Sequence, residues 1–525
     1  MAMSKIINLM KIKKFQKAEL EINRELKKNP NSFDLNKIHA MNFISQKKYN
    51  LAMASLNKCY EINPNDFDIN VNLSHILNKI QDYKTALQYS NAALEIDPDR
   101  PEVYHSIAHS YLYIPDLQKA ELNILKSIEL RGGLNSMEIL NYKDTLNIYT
   151  DILYAKGDED SFRNVCNMLL NKGLHFADIF RKLLRSDKKA ILPNHLKTME
   201  DILKNIEKSK NLINKNLTKA SIYSCFAEYY QNTGKEVSEM YFIKSNRLIN
   251  DLQRDSIYQR QEFTKSVIKF FKEPEIVKIS KKIPSDLGEG LIFIIGMPRS
   301  GTTLTESIIA TSENSIAGGE KVFFSVNCRP IIKQYQNENL KFEALLKLGL
   351  AYLDVINIQR KGKRIFIDKM PENYLYYKFI QISLPLAKFI HVYRDPWDNA
   401  ISLFKQNFVN EIPYASSFFG IALEYANYEH LMKEWKSETD QNILDVNYQD
   451  LVTTTEDTAK EIWDFCKLPG KYEKIRRKEY FSQTASKQQV RKEIYTSSLK
   501  KREFTDYYAD FTKNLEEQRL YWKNN

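Results

Sequence analysis

The sequence predicts an α-helical repeat superhelix followed by an α/β domain with a P-loop-like phosphate cradle and a central parallel sheet. Three observations carry this. A 34-residue period runs through the first quarter of the chain, an apolar run at 291–295 feeds a Gly-bounded loop and a helix, and a second strand-like run at 388–393 ends in Arg394. The chain has 525 residues, room for roughly two to four domains.

The period comes first. Pro30, Pro64 and Pro98 each follow Asn or Asp, Ala18, Ala52, Ala86 and Ala120 keep the same step, and so do Phe15, Tyr49, Tyr83 and Leu117. A small residue lets two helices approach closely, an aromatic fills the gap, and Pro ends the pair. Three series in register at that spacing form the tetratricopeptide (TPR) pattern. Each repeat buries its apolar face only against neighbours, so a superhelix with a concave groove is expected, one that binds a peptide or self-associates. Residues 133–215 are helical in pattern without the signature, and 220–248 reads as a further, degenerate helix pair. Lys272 to Glu275 and Lys281 to Ser285 are polar and Pro-bearing, which suggests a linker. The expected domains are therefore 1–265 helical repeats, 266–288 linker and 289–525 α/β.

After the linker, strand-like runs near 291–295, 364–367, 388–393 and 443–447 alternate with helical segments. That pattern implies a parallel sheet with ligands at the strands' C-terminal ends. Gly296 to Gly301 forms the loop after the first strand, and the helix is expected from Thr302. Backbone N–H groups and the helix dipole at such a junction hold an anion. A nucleotide kinase or ATPase would carry lysine after the second glycine. Here Thr302 stands there, and the cation is Arg299, inside the loop. Without a lysine bridging β- and γ-phosphates, ATP chemistry is disfavoured, and hydroxyls of Ser300, Thr302 and Thr303 suit a shorter anion.

This loop resembles the 5′-phosphosulfate-binding loop of sulfotransferases, which use 3′-phosphoadenosine 5′-phosphosulfate (PAPS). Its form, Pro298-Arg299-Ser300-Gly301-Thr302-Thr303-Leu304, is most similar to protein-tyrosine sulfotransferases and bacterial TPR–sulfotransferase fusions. Arg394-Asp395-Pro396 with Ser402 resembles the same family's 3′-phosphate element, in which an arginine at a strand end and a serine on the next helix converge on one phosphate. Residues 484–495 resemble the family's late nucleotide-covering loop, with Ser486 and Arg491 in the positions that close over the anion. Tyr448 matches a tyrosine beside the nucleotide. The resemblance implies Glu320, after Gly318 and Gly319, as the catalytic base, and Lys369, with Arg299, as the cations for departing charge. His391 lies inside a strand and reads as a packed sheet histidine, ranked below Glu320. The resemblance covers about residues 290–500, and that to TPR proteins about 5–130.

The implied reaction is transfer of the PAPS sulfonate to an acceptor hydroxyl, with no metal. The Glu320 pattern leans toward protein tyrosine, and glycan, lipid or small-molecule acceptors stay open, because 321–360 shows no readable signature. Two rival readings stand beside it, a P-loop nucleotide kinase and a non-catalytic TPR scaffold. The net charge of +11 is carried by lysines dispersed over helices. The compact basic runs 474–478 and 500–502 flank the late loop, which fits nucleotide steering rather than a nucleic-acid surface. The five cysteines are scattered, with no zinc or disulfide spacing. The apolar run Ile6 to Met10 is too short for a secretory segment or membrane anchor. A cytoplasmic protein with no membrane partner is expected.

Overall fold

The structure is a computed structural model. It describes residues 2–524 except 13, 47, 80–81, 115, 137, 172–175, 187–190, 209–211, 232, 338–341, 361–363, 407–411, 437–441, 471, 473–498 and 500–502. Ser486 and Arg491 therefore lie outside the described residues. The chain divides into two units, Met1–Leu183 and Leu184–Asn525.

In the first unit the period becomes geometry. The second helices of successive pairs are α2 (Phe15–Lys28), α4 (Tyr49–Ile62), α6 (Tyr83–Ile96) and α8 (Leu117–Leu130). Their starts and ends recur every 34 residues, at the aromatic or Leu positions of the repeat. The first helices are α1 (Ala2–Lys11), α3 (Phe33–Ser45), α5 (Phe67–Lys79) and α7 (Pro101–Tyr113). Each packs on the next, and α5 also touches α7, which is the stacking a repeat array needs to bury its apolar faces. Ala18, Ala52, Ala86 and Ala120 are fully buried. Asn36 and Asn70, one period apart, donate side-chain bonds to the carbonyls of Pro30 and Pro64 at 3.0 and 2.7 Å, fixing the inter-repeat turn. Beyond the repeats come α9 (Lys143–Lys156), α10 (Glu159–Asn171) and α11 (Phe176–Ser186).

The second unit begins earlier than the sequence suggests. After α12 (Pro193–Ile206), α13 (Leu212–Tyr230) pairs with α14 (Lys235–Lys272), but both belong with the α/β core. Ala227, Phe242, Ile257, Val267 and Phe270 join the core cluster that holds Phe293, Phe389 and Tyr425. Arg260 of α14 donates to Glu372 and Glu424 at 2.8 and 2.6 Å. The expected linker at 266–288 is instead the end of α14 followed by α15 (Pro274–Ser280), with Ile268, Ile276, Ile279 and Ile283 buried. Its polar residues sit on the outer face of helices whose apolar residues are core. The Lys/Glu/Pro composition read as a linker is an amphipathic helix pair started by Pro274 at its N-terminus.

The sheet is parallel, ordered β2-β3-β1-β4-β5, with β1 (Leu291–Ile295), β2 (Ser315–Ala317), β3 (Ile365–Asp368), β4 (Lys388–Tyr393) and β5 (Ile443–Asn447). β2 is a three-residue edge strand with no sequence signal of its own. The helices between are α16 (Thr302–Ile309), α17 (Phe323–Asn337), α18 (Phe342–Arg360), α19 (Tyr377–Ser383), α20 (Pro396–Phe404) and α21 (Phe418–Lys436). α22 (Tyr448–Thr453), α23 (Thr455–Cys466) and α24 (Tyr508–Asn524) follow. All five residues of β1 are buried, as a central strand covered on both faces requires. Strand order reverses at β1, so the loops after β1 and β4 lie side by side at the strands' C-terminal ends.

Candidate active site

The loop after β1 is a backbone cradle. Gly296 has φ 148°, Arg299 φ 70° and Gly301 φ 111°. A Cβ on Gly296 would stand 2.2 Å from the Val392 carbonyl oxygen of β4, and one on Gly301 2.5 Å from Tyr448 Cδ2. These two glycines are required by close approach as well as by backbone angle. Arg299 holds a left-handed conformation that costs a non-glycine residue free energy, and such residues cluster at functional sites. The Gly296 N–H bonds the Pro371 carbonyl at 3.1 Å, tying the loop to the segment after β3. Pro298 is buried, and its carbonyl accepts from Asn399 Nδ2 at 3.1 Å. Ser300, Thr302 and Thr303 are buried, and Leu304 packs against the core beneath. The Ser300 hydroxyl has no hydrogen-bond partner among the described residues. An unsatisfied buried hydroxyl at the head of α16, in a loop of left-handed backbone, suits an anion that supplies the missing acceptor.

Arg394 follows β4 and is buried beside this cradle. Its Nη1 donates to the Arg299 carbonyl at 3.2 Å, and its guanidinium lies 4.3 Å from the Tyr448 ring centre. Tyr448 thus touches both Gly301 and Arg394. Arg299 Nε donates to Ser402 Oγ at 3.3 Å. The two elements that read in sequence as gripping opposite ends of a nucleotide are therefore joined, with Arg299 crossing from the cradle to the serine. Two residues that sequence reasoning missed support them. Asn399, fully buried, stands three positions before Ser402 on the same face of α20 and could have been found from that spacing. Tyr425 of α21 donates its hydroxyl to the Arg394 carbonyl, a contact without local sequence signal. Asp395 caps α20 by accepting from the Asp398 N–H at 2.9 Å.

One strand further along the edge, Lys369 follows β3 and Glu320 follows β2. Lys369 is fully buried and its ammonium donates to Glu320 Oε1, while Glu320 is 41 % exposed. The pair has an inner end closed by protein and an outer end open to solvent. Further titratable groups lie along the sheet. Asp368 accepts from the Tyr352 hydroxyl at 2.6 Å. Burial pushes its carboxyl up to about 7, against the Tyr352 hydrogen bond and the Lys321 charge, with Glu306 adding to the rise. His391 is a sheet residue held between Asp445, at 2.7 Å, and the Tyr428 hydroxyl. Burial lowers its pKa, while hydrogen bonds from His391 and Lys436 overcome burial to hold Asp445 down at about 2.

Comparison with known proteins agrees with this architecture. Residues 292–473 match the sulfotransferase family, and residues 43–109 match the tetratricopeptide repeat. The chain is thus similar to TPR repeats over part of its first unit and to the sulfotransferase family over part of its second. An uncharacterized protein of Aquifex aeolicus (strain VF5) is 32% identical over 302 residues, 52% of this chain and 38% of that protein. The chain therefore spans well under half the length of that curated relative. Among solved structures, a sulfotransferase domain from the Synechococcus PCC 7002 olefin synthase is 17% identical, with a TM-score of 0.33, covering 45% of this chain and 97% of that one. A tetratricopeptide repeat protein from Parabacteroides merdae ATCC 43184 is 15% identical, with a TM-score of 0.34, covering 47% and 91%. Among the described residues no helix is long and apolar enough to cross a membrane.

Proposed function

We propose that the α/β unit transfers the sulfonate of PAPS to an acceptor hydroxyl, with Glu320 as the general base. The observation that carries the reading is the Glu320–Lys369 pair at the ends of β2 and β3, next along the same sheet edge to a phosphate cradle with an unsatisfied serine hydroxyl. PAPS, when bound, supplies the activated sulfonate and leaves as 3′,5′-diphosphoadenosine. Arg299, Ser300, Gly301, Thr302 and Thr303 hold its 5′ end, with Pro298 and Leu304 shaping the loop. Arg394 and Ser402 hold the 3′-phosphate, and Tyr448 braces both. Ser486 and Arg491 complete the site in this reading. Lys369 orients the Glu320 carboxylate, whose outer face takes the proton of the attacking hydroxyl. Lys369 and Arg299 supply fixed positive charge where phosphate charge grows.

The exposure of Glu320 favours a hydroxyl borne on a polymer, protein tyrosine first, because a large acceptor needs an open approach. The TPR array serves in this reading as its recognition surface, and the reaction is cytoplasmic. The test is radiolabelled PAPS added with the full chain to fractionated lysate. Label on a macromolecule is expected. Label confined to small molecules sinks the polymer acceptor, and tighter binding of ATP than of 3′,5′-diphosphoadenosine favours the kinase reading instead.

A further inference from the structure

The loop that carries Glu320 has little to hold it in place by its own composition. It contains two glycines, and Gly319 has φ 69°. Glu320 itself is only partly buried, so its position must be imposed from behind. Gly318 is docked on β3: its N–H bonds the Ile367 carbonyl at 2.7 Å, and an added Cβ would meet the Phe366 ring at 2.3 Å. The Lys369 N–H bonds the Gly319 carbonyl at 2.9 Å. A buried carboxylate then takes the main-chain N–H next to the base. Glu306 Oε1, from α16, accepts from the Gly319 N–H at 3.2 Å. Asp368, at the end of β3, accepts from the Tyr352 hydroxyl at 2.6 Å. Glu306 is fully buried and Asp368 is 1 % exposed.

We propose that Glu306 is a positioning residue that clamps the main chain beside Glu320 and so holds its carboxylate against Lys369. Burying a carboxylate is costly unless it is hydrogen-bonded or paired, and packing alone gives no reason to place one behind a glycine-rich loop. α16 begins at the phosphate cradle, four residues before Glu306. One short helix therefore ties the anion site to the base loop, and the end of β3 holds the same loop through the Lys369 N–H. The proposal rests on Glu320 being the base, but its mechanical part is independent of that.

The test compares Glu306→Asp, which withdraws the oxygen by one methylene, with Glu306→Gln, which keeps an acceptor at full length, in the full chain. Hydrogen exchange of the peptide covering 317–322 is expected to speed up by about tenfold in Glu306→Asp and to stay near the parent rate in Glu306→Gln. Hydrolysis of PAPS, with water as the acceptor, is expected to slow by roughly ten- to a hundredfold in Glu306→Asp. Affinity for 3′,5′-diphosphoadenosine should stay within about threefold, and Glu306→Gln should restore most of the rate. Unchanged exchange in Glu306→Asp overturns the clamp, and so does a Glu306→Gln variant as damaged as Glu306→Asp. Should either variant fail to fold, exchange in the parent chain supplies the test: the Gly319 amide is expected to exchange about tenfold or more slower than an unbonded amide, and exchange at the unbonded rate overturns the clamp. Parental hydrolysis by Glu320→Ala with exchange still responding to Glu306→Asp would leave the clamp standing and remove Glu320 as base.

Discussion

The two units of this chain solve the problem of buried polar groups at different sequence distances. In the repeat unit Ser74 Oγ lies 2.6 Å from both Ser90 and Ser106, and Ser110 donates to Asn78 at 2.8 Å; the partners are 16 or 32 residues apart. In the α/β unit Arg299 reaches Ser402 across 103 residues, Asn399 reaches Pro298 across 101, and Lys369 reaches Glu320 across 49. The array closes its polar network between neighbouring helices. The α/β unit gathers residues that only strand order brings together. A repeat can therefore lose one contact and keep its neighbours, whereas a site residue depends on the whole sheet.

Buried histidines of the array and one buried carboxyl of the α/β unit titrate in opposite directions. Burial lowers the imidazoles of His75, His105 and His109 in the array, to about 4 for His105 and about 3 for His109. A histidine held below its unfolded pKa leaves the unfolded state with more protons under acid, so stability is present at neutral pH and drains away as pH falls below about 6.5. Asp368 behaves the other way. Its folded value of about 7 lies above its unfolded value. Its contribution is therefore complete below about 4 and is lost as pH rises through 7.

The largest expected effect breaks the α/β side alone. Glu320→Ala should reduce sulfonate transfer by roughly a hundred- to ten-thousandfold, while affinity for 3′,5′-diphosphoadenosine stays within a few-fold; normal turnover would falsify the assigned base. Next, Arg394→Ala should weaken 3′,5′-diphosphoadenosine binding by about tenfold to a hundredfold, for a lost charge-assisted contact. The loss for 5′-AMP should be much smaller, and calorimetry showing equal losses would remove Arg394 from the 3′-phosphate. On the array side, Ser74→Ala removes the central hydroxyl of the buried serine network and should cost about 1–3 kcal/mol. Denaturant unfolding followed by ellipticity should register that cost with nucleotide affinity unchanged; a change in affinity would mean that the site depends on the array.

The smallest effect is also the sharpest comparison. All four tryptophans, Trp397, Trp435, Trp463 and Trp522, lie in the α/β unit, so their emission reports that unit alone, while ellipticity reports both. On acidification from pH 7 to 4, helical signal should fall before tryptophan emission shifts, with the melting temperature of the array dropping by a few degrees. Coincident transitions would contradict the histidine assignment. Above pH 5 the tryptophan transition should weaken gradually, and Asp368→Asn should flatten that slope; an unchanged slope would remove Asp368 as its source.

How much could be read in advance follows from the same distances. The repeat helices start at Phe15, Tyr49, Tyr83 and Leu117 because the aromatic, the alanine and the proline all lie within one repeat. β1, β3, β4 and β5 and the cradle at 296–303 were likewise legible, since a short apolar run and a glycine-bounded loop are local signals. The unit boundary was not legible. α14 looks in sequence like a repeat helix followed by a polar linker, and only its tertiary contacts, Phe242, Ile257, Val267 and Phe270 in the core and Arg260 meeting Glu372 and Glu424, assign it to the α/β core. Nor were Glu306 and Asp368, because a glutamate within a helix and an aspartate at a strand end carry no mark of burial until the fold closes around them.

The sequence by itself determined the helical period, the strand–loop–helix cradle and the identity of the residues at strand ends, because each rests on residues within a few turns of chain. Only the tertiary structure decided that Arg299 crosses to Ser402, that Tyr448 closes on both Gly301 and Arg394, and that Glu320 meets a wholly buried Lys369. Those contacts depend on the order β2-β3-β1-β4-β5 and on its register. Strand order is a property of the whole packed sheet, which no local stretch of residues encodes.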